Sequence, residues 1–256
     1  LAHLIDRQYI ITYIDEGFGI PMYTEVPPCL GPYQHPGIYP GGIWTPGEDL
    51  SHPFNLTEAA RLLNEDGFPI GTDGWRYWDR NGNGMKDSDE ELVLKFLIRS
   101  DDSKKRHIGE YIVTQLQSDP IKIHVNATFG SRALCIMKIM EDKDFHLFTG
   151  DRNLRKDPDY LYEMKHSQMY WHPGICPNYM FFNNSEYDYW AEQLKFANTV
   201  EEAVQAAYKC QEVYATPCKI GSIPIECRYG IKAMKRRYSG TPGIADEEEM
   251  YEQQLW

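Results

Sequence analysis

The twelve residues Asp79-Arg-Asn-Gly-Asn-Gly-Met-Lys-Asp-Ser-Asp-Glu90 carry the sharpest chemical pattern in the chain. Asp79, Asn81 and Asn83 set oxygen-bearing side chains at positions one, three and five. Gly84 stands at six, Met85 offers its carbonyl at seven, Asp87 follows at nine and Glu90 closes the run at twelve. Calcium takes roughly six to eight hard oxygen ligands at flexible geometry, and this is the ligand spacing of the EF-hand loop, with glycine where the backbone turns sharply. The flanks are not helical: Trp75-Arg-Tyr-Trp78 reads as strand or turn and Leu92 onward as strand. The pattern therefore predicts an isolated, structural calcium loop, because a lone loop cannot open a groove as paired sensor hands do. Two Asn in place of Asp lower the ligand charge. An Asn-Gly-rich turn without metal is the alternative the spacing leaves open.

No catalytic set accompanies it. His107, His124, His146, His166 and His172 show no metal-ligand spacing, and there is no G-x-S-x-G elbow, Walker loop or G-x-G-x-x-G run. Gly17-Phe-Gly19 reads as a helix end, and the carboxylates Asp157 and Asp159 are ordinary in so acidic a chain. The expectation is a protein that is not an enzyme. The net charge of −12 also argues against nucleic acid as a partner, since Lys104-Lys105-Arg106 and Lys235-Arg236-Arg237 are too short to make a basic face. The six cysteines contain no C-x-x-C pair. Their even count fits an oxidising compartment and leaves the connectivity open. Sequons at Asn55, Asn126 and Asn183 fit an exported surface. No stretch approaches the ~18 apolar residues that span a membrane. Leu1 falls inside what reads as a helix, so the expected start is an artificial or proteolytic boundary.

The elements that must position this chemistry follow from periodicity. Residues 1–14 read as a helix, and residues 20–54 as a loop whose Pro and Gly density excludes regular structure. Asn55 or Thr57 caps a helix through Leu63. Strands are predicted at 92–98, 121–125, 145–148 and 222–228, and helices at 104–117 (capped by Asp101 or Ser103), 131–141, 186–197 and 200–215. The alternation predicts an α/β fold with a mixed or partly parallel sheet flanked by helices. Residues 239–256, with Asp246-Glu-Glu-Glu249, read as a solvated tail.

In this order the segments resemble the family 5 extracellular solute-binding proteins. Leu1-Ala-His-Leu-Ile-Asp-Arg-Gln-Tyr-Ile-Ile is similar to the family's A-x-A-I-D-R-x-x-I-I helix, and Gly19-Ile-Pro-Met-Tyr-Thr-Glu-Val-Pro-Pro28 to its G-x-P-A-x-x-x-x-P-P turn. Asn55 to Phe68 resembles D-P-x-K-A-K-x-L-L-x-E-A-G-F, and the polar run from Asp79 stands where D-x-D-G-D-G commonly comes. Asp144 to Asp151 resembles the strand and loop before Asp157-Pro-Asp159, and Asn178 to Asp188 resembles N-x-x-G-Y-S-N-P-E-x-D.

The resemblance covers about residues 1–238 and implies the second, C-terminal lobe of a periplasmic-binding-protein-like fold, with the first lobe of the same protein missing. It implies capture of peptides for an ABC importer by closure of two lobes, with the importer's permease subunits as partners, outside the cell or in the periplasm and tethered to the membrane. Oligosaccharide capture is the alternative within the family, and a calcium-stabilised cell-surface structural protein the alternative outside it. In peptide-binding members an Asp after the strand holds the peptide amino terminus and an Arg at the end of the earlier strand holds a carboxylate; Asp151 and Arg99 stand at those places. Phe148 replaces the usual Trp region, and Tyr170 and Trp171 are candidate pocket walls. The basic stretch Arg152 to Lys156 departs from the pattern and is expected either to neutralise Asp151 and weaken an amine site or to favour an acidic solute.

Overall fold

The computed structural model describes residues 1–40, 50–152, 154–155, 157–171, 178–216 and 221–228, with the backbone alone at Trp171. Cys176, Cys218, His172, the Lys235-Arg236-Arg237 run and the tail 239–256 lie outside the described residues. In chain order the helices are α1 (Arg7–Tyr9), α2 (Leu56–Glu65), α3 (Ser103–Gln117), α4 (Arg132–Met137), α5 (Tyr160–Lys165), α6 (Ser185–Lys195) and α7 (Val200–Ala215). The strands are β1 (Gly19–Pro21), β2 (Val93–Arg99), β3 (His124–Gly130), β4 (Leu147–Phe148) and β5 (Glu226–Arg228).

β2 is the central strand of a parallel sheet ordered β3-β2-β4. Its run Val-Leu-Lys-Phe-Leu-Ile-Arg is nearly all apolar, as a strand covered on both faces requires, and its last four residues are buried. The register sets Arg99 opposite Gly130 and Leu97 opposite Phe148, so all three strands finish at one edge of the sheet. Asp102 caps α3 by accepting hydrogen bonds from the Lys104 and Lys105 amides. Ile108, Ile112 and Leu116, at helical spacing, then pack with Phe96, Ile98, Ile121 and Ile123. Each such side chain contributes about 1.5–3 kcal/mol on burial. Gly109 permits the close approach of helix to strand: a Cβ there would stand 2.5 Å from Ile98 Cγ2.

A second core lies under α5, α6 and α7, where Tyr187, Ala191 and Leu194 meet Ala206, Ala207, Cys210 and Tyr214. The Pro/Gly-rich segment closes over it. Val26 enters this core, and a 3-10 turn at Pro28–Tyr33 lies against α7. The buried Gln211 fixes that segment, donating from Nε2 to Tyr33 O (2.8 Å) and accepting at Oε1 from Thr24 Oγ1 (2.9 Å) and the His35 amide (3.1 Å). β1 and β5 form a separate antiparallel ribbon with Ile20 opposite Cys227. Parallel and antiparallel pairings thus both occur, in an α/β fold.

Arg76 joins the calcium-type loop to the first core. It is 1% exposed, and its guanidinium donates to Ile121 O (2.6 Å), Asn64 Oδ1 (2.6 Å), Phe68 O and Pro120 O (3.2 Å). Planar geometry with five donors lets one side chain tie α2 to the turn before β3.

Several expectations shift. The Pro/Gly-rich segment does hold regular structure: Ile20 and Pro21 pair in β1, and Pro28–Tyr33 forms a 3-10 turn. The cap of α3 is Asp102, between the expected Asp101 and Ser103. Residues 1–14 are not one helix: Ile5 is extended (φ −98°, ψ 104°) and Asp6 begins a new helix by accepting from the Tyr9 amide, after which Ile10–Ile14 widens into a π-turn. The strand predicted at 121–125 starts at His124 and runs to Gly130; Ile121 and Ile123 alternate because both are buried with α3 in the first core, while Lys122 between them has φ +57°. Helix α5 has no counterpart in the predicted elements, although five of its six residues are buried.

Candidate ligand-binding site

The three parallel strands end where charged side chains collect. Arg99, the last residue of β2, donates from Nη1 to Asp151 Oδ1 at 2.7 Å, and from Nε and Nη2 to Asp101 Oδ1 and Oδ2 at 3.1 and 3.3 Å. Lys105, in the first turn of α3, sits with Nζ 3.0 Å from Asp151 Oδ2 and 2.6 Å from Asp102 Oδ2. The Arg99 amide donates to Thr149 Oγ1 at 2.8 Å, which fixes the loop after β4 against the end of β2. The arrangement has a front and a back. Arg99 and Lys105 side chains are 10% and 8% exposed, whereas Asp151 is 36% exposed. The cations stand behind and the carboxylate looks outward.

Burial opposes the charge on Arg99, but hydrogen bonds to Asp101 and the field of Asp151 outweigh it and raise the guanidinium above its ordinary value. Burial likewise works against ionised Asp102, yet the Lys105 ammonium and amide hold it down at about 2. Three carboxylates against two cations leave one net negative charge in the cluster.

Asp151 opens on a cavity of about 1000 Å³ between the parallel sheet and the helical layer, walled in part by Phe148, Leu154, Tyr179, Phe181 and Ile223. Glu25, which also lines the cavity, pairs with the fully buried Lys165 (Nζ to Oε1, 3.1 Å), whose ammonium lies 3.9 Å from the centre of the Tyr214 ring. Burial lowers the Lys165 ammonium and Glu25 restores part of it.

The calcium-type loop lies elsewhere, between α2 and β2. Asp79 accepts from the Asn83 and Gly84 amides (3.1 and 3.0 Å), Asn81 Oδ1 from the Asn83 amide (2.9 Å), and Asn83 Oδ1 from the Met85 amide (2.7 Å). Asp87 Oδ2 gathers the Asn81 and Asn83 side-chain amides at 2.9 and 3.4 Å. Glu90, 2% exposed, accepts from the Arg80 and Asp87 amides at 3.0 and 3.1 Å. Gly82 and Gly84 take the positive φ that the turn needs (69° and 74°). The oxygen donors of Asp79, Asn81, Asn83, Asp87 and Glu90 share one tight loop, a donor set suited to a hard cation. Among the described residues no three His, Cys, Asp or Glu by themselves form a metal-binding group. The Asn and Met85 carbonyl oxygens would have to complete the set.

A profile of the bacterial extracellular solute-binding proteins, family 5 Middle, matches residues 1–172. The chain belongs to this family. Family 5 is a family of binding components of transport systems and not of enzymes. No curated protein matches the sequence. Solved structures similar to this chain include the oligopeptide-binding protein AppA from Bacillus subtilis in complex with a nonapeptide, at 20% identity and TM-score 0.62, covering 84% of this chain and 38% of that one. NikZ from Campylobacter jejuni in complex with Ni(L-His) is similar at 10% identity and TM-score 0.70, covering 88% and 40%. A mannohexaose-bound periplasmic oligopeptide-binding protein from Thermotoga maritima is similar at 16% identity and TM-score 0.68, covering 88% and 39%. These establish the fold, and the chain spans about two-fifths of the length of each. Among the described residues no helix is long and apolar enough to cross a membrane.

The family 5 positions named in the sequence converge in part. Arg99 and Asp151 stand together, bonded to each other. Phe148 is on the cavity wall. Tyr170 sets its ring edge-on against Phe181 at 6.2 Å, and it is Phe181 that faces the cavity. Trp171 ends the turn Ser167–Trp171, and its side chain lies outside the described residues. The cations paired with Asp151 are Arg99 and Lys105, while Arg155 pairs with Asp159 and Glu163 (both 3.0 Å). Lys105 escaped the sequence reading as a site residue; the Asp102–Lys105 spacing of three at a helix start is the signal that could have found it.

Proposed function

We propose that this chain is one lobe of a solute-capture protein that delivers peptides to an ABC importer, and that Asp151 receives the peptide's amino terminus. The observation that carries this reading is the outward-facing Asp151 carboxylate on the cavity wall, backed by two nearly buried cations in a cluster of net charge −1. The two cations orient the carboxylate, and the residual negative charge favours an ammonium. Arg99 does not meet a peptide carboxylate in this reading: its donors are taken by Asp101 and Asp151, so its role is to position Asp151. The aromatic wall supplies apolar contact area for side chains. Peptide complexes among the similar structures support the class of solute.

Closure over the solute requires a second wall, which the reading assigns to the rest of a longer, exported and membrane-tethered protein, with the permease subunits as its docking partners. The test is calorimetric titration of the full-length protein with di- to octapeptides and with oligosaccharides. Peptide binding that survives removal of the Asp151 charge would overturn the amine assignment. Phe148, Tyr179 and Phe181 on one cavity wall favour a second reading, stacking on sugar rings, which binding of oligosaccharides alone would select. The loop Asp79–Glu90 completes the proposal as a structural calcium site held by Asp79, Asn81, Asn83, Met85 O, Asp87 and Glu90.

A further inference from the structure

The run Asp79–Glu90 contains two Asn-Gly pairs, Asn81-Gly82 and Asn83-Gly84. All four residues are exposed, and both glycines take positive φ. The fold nevertheless treats the two pairs differently. The Gly84 amide donates to Asp79 Oδ2 at 3.0 Å. Among the described residues the Gly82 amide donates to no acceptor. Asn81 Oδ1 accepts from the Asn83 amide at 2.9 Å, and the ring closed by that bond runs through Asn81 Cγ and the Gly82 nitrogen. A Cβ on Gly82 would meet nothing within 4 Å, so the turn has room to change shape.

We propose that Asn81 is a site of covalent self-modification that loses its side-chain nitrogen as ammonia, while the bond that holds the Gly84 amide protects Asn83. A hydroxide ion from the solvent takes the Gly82 amide proton and becomes water. The Gly82 nitrogen attacks Asn81 Cγ, the Cγ–Nδ2 bond breaks, and Nδ2 takes a proton from water and leaves as ammonia. The product is a five-membered cyclic imide in the main chain, and glycine, with no Cβ, hinders its closure least. Water then opens the imide. Addition at Cγ breaks the new bond and leaves aspartate. Addition at the main-chain carbonyl breaks the original peptide bond and leaves isoaspartate, in which the chain runs through the side chain. One water is consumed and one ammonia released, with no change of oxidation state.

At Asn83 the same attack requires the Gly84 nitrogen to surrender the N–H that the Asp79 carboxylate holds. The side chains themselves are held alike: each Oδ1 accepts one main-chain amide, and each Nδ2 reaches Asp87 Oδ2 (2.9 Å from Asn81, 3.4 Å from Asn83). The glycine nitrogen is what separates them. A hydrogen bond to a charged group corresponds to about 10-fold or more in rate. The aspartate product adds a negative charge beside Asp79 and Asp87, and the isoaspartate product lengthens the main chain by one carbon. The inference requires neither the calcium reading nor the solute reading.

The test is incubation of the folded full-length protein at mildly alkaline pH with EDTA, then digestion in acid and tandem mass spectrometry. The expected product is a peptide one mass unit heavier, with the change at Asn81 and part of it isoaspartate by enzymatic carboxyl methylation. It should form about 10-fold or more faster than the change at Asn83. In urea the two rates should converge, because both residues precede glycine. In Asp79→Ala, which frees the Gly84 amide, the Asn83 rate should rise toward that of Asn81. Equal rates in the folded protein, faster change at Asn83, no change at Asn81, a preference that persists in urea, or an Asn83 rate unmoved by Asp79→Ala overturns the proposal. Chelation keeps calcium out of the measurement, so its failure leaves the calcium and solute readings standing.

Discussion

Arg99 and Asp151 are bonded at 2.7 Å across the ends of two adjacent parallel strands, fifty-two residues apart in sequence. Residues expected to hold opposite ends of a peptide instead hold each other, and Lys105 completes the group from the first turn of α3. A carboxylate fixed in this way needs little reordering when a ligand arrives.

Replacing Asp151 by Asn should keep the shape and remove the net negative charge. Loss of a charge-assisted hydrogen bond of about 1.5–3 kcal/mol corresponds to peptide binding about 10–150-fold weaker, read by calorimetry on the full-length protein. Unchanged affinity would show that the solute's ammonium is held elsewhere.

Arg99→Lys should act on position and not on total charge. An ammonium cannot span Asp101 and Asp151 with the fixed fork of a guanidinium. Peptide affinity is expected to fall in the same direction as in Asp151→Asn, with about 1 kcal/mol lost from stability in chemical denaturation.

Glu226 gives the fold a pH dependence of defined sign. Its side chain is 7% exposed, Oε2 meets no donor, and Oε1 and Asp15 Oδ2 share Arg228 Nε at 2.8 Å each. Burial first, and the neighbouring Asp15 carboxyl second, push its carboxyl from 4.5 up to about 8. The folded state thus retains a proton that the unfolded chain loses between those values. Stability is therefore greatest below pH 4.5 as far as this group is concerned, and declines as pH rises from about 4.5 to about 8, by at most ~1.4 kcal/mol per pH unit. The opposing shift of Asp15 acts below pH 3.8: burial raises it, but the Glu226, Lys104 and Arg228 contacts together lower it. Urea unfolding across pH 5–8 should show the decline in the wild type and lose it in Glu226→Gln.

Calcium should raise the melting temperature of the protein, and chelation should reverse the rise. At about 100 times the dissociation constant the gain is about 2.7 kcal/mol. Asp79→Ala, which removes the ligand at position one and the acceptor for the Asn83 and Gly84 amides, should abolish the response. A melting curve indifferent to millimolar calcium would leave the run as a plain Asn-Gly turn.

The central strand and the long helices were readable from their apolar pattern: α3 shows Ile108, Ile112 and Leu116 on one face, and β2 is a nearly continuous apolar run. Sequence reasoning placed β3 too early because Ile121 and Ile123 alternate like strand residues while serving the packing under α3. It missed α5 because Tyr160-Leu-Tyr-Glu-Met-Lys165 is buried nearly all round and has no amphipathic stripe. Arg99 and Asp151 were found by resemblance at their strand ends, but their mutual bond depends on strand order, which local sequence does not encode. Lys105 was visible only as one charge in a short basic run.

Arg76 has a further meaning for the calcium-type loop. Its guanidinium is secured by main-chain oxygens of Phe68, Pro120 and Ile121 and by the Asn64 side chain, inside the same core that packs α3 on the sheet. Three residues later the loop begins at Asp79. The loop is therefore a rim fitting bolted to the chassis, with no soft joint between them. The twelve residues are held at both ends, by Arg76 in the packed core before them and by the buried Glu90, whose carboxylate turns back to the Arg80 amide, at their close.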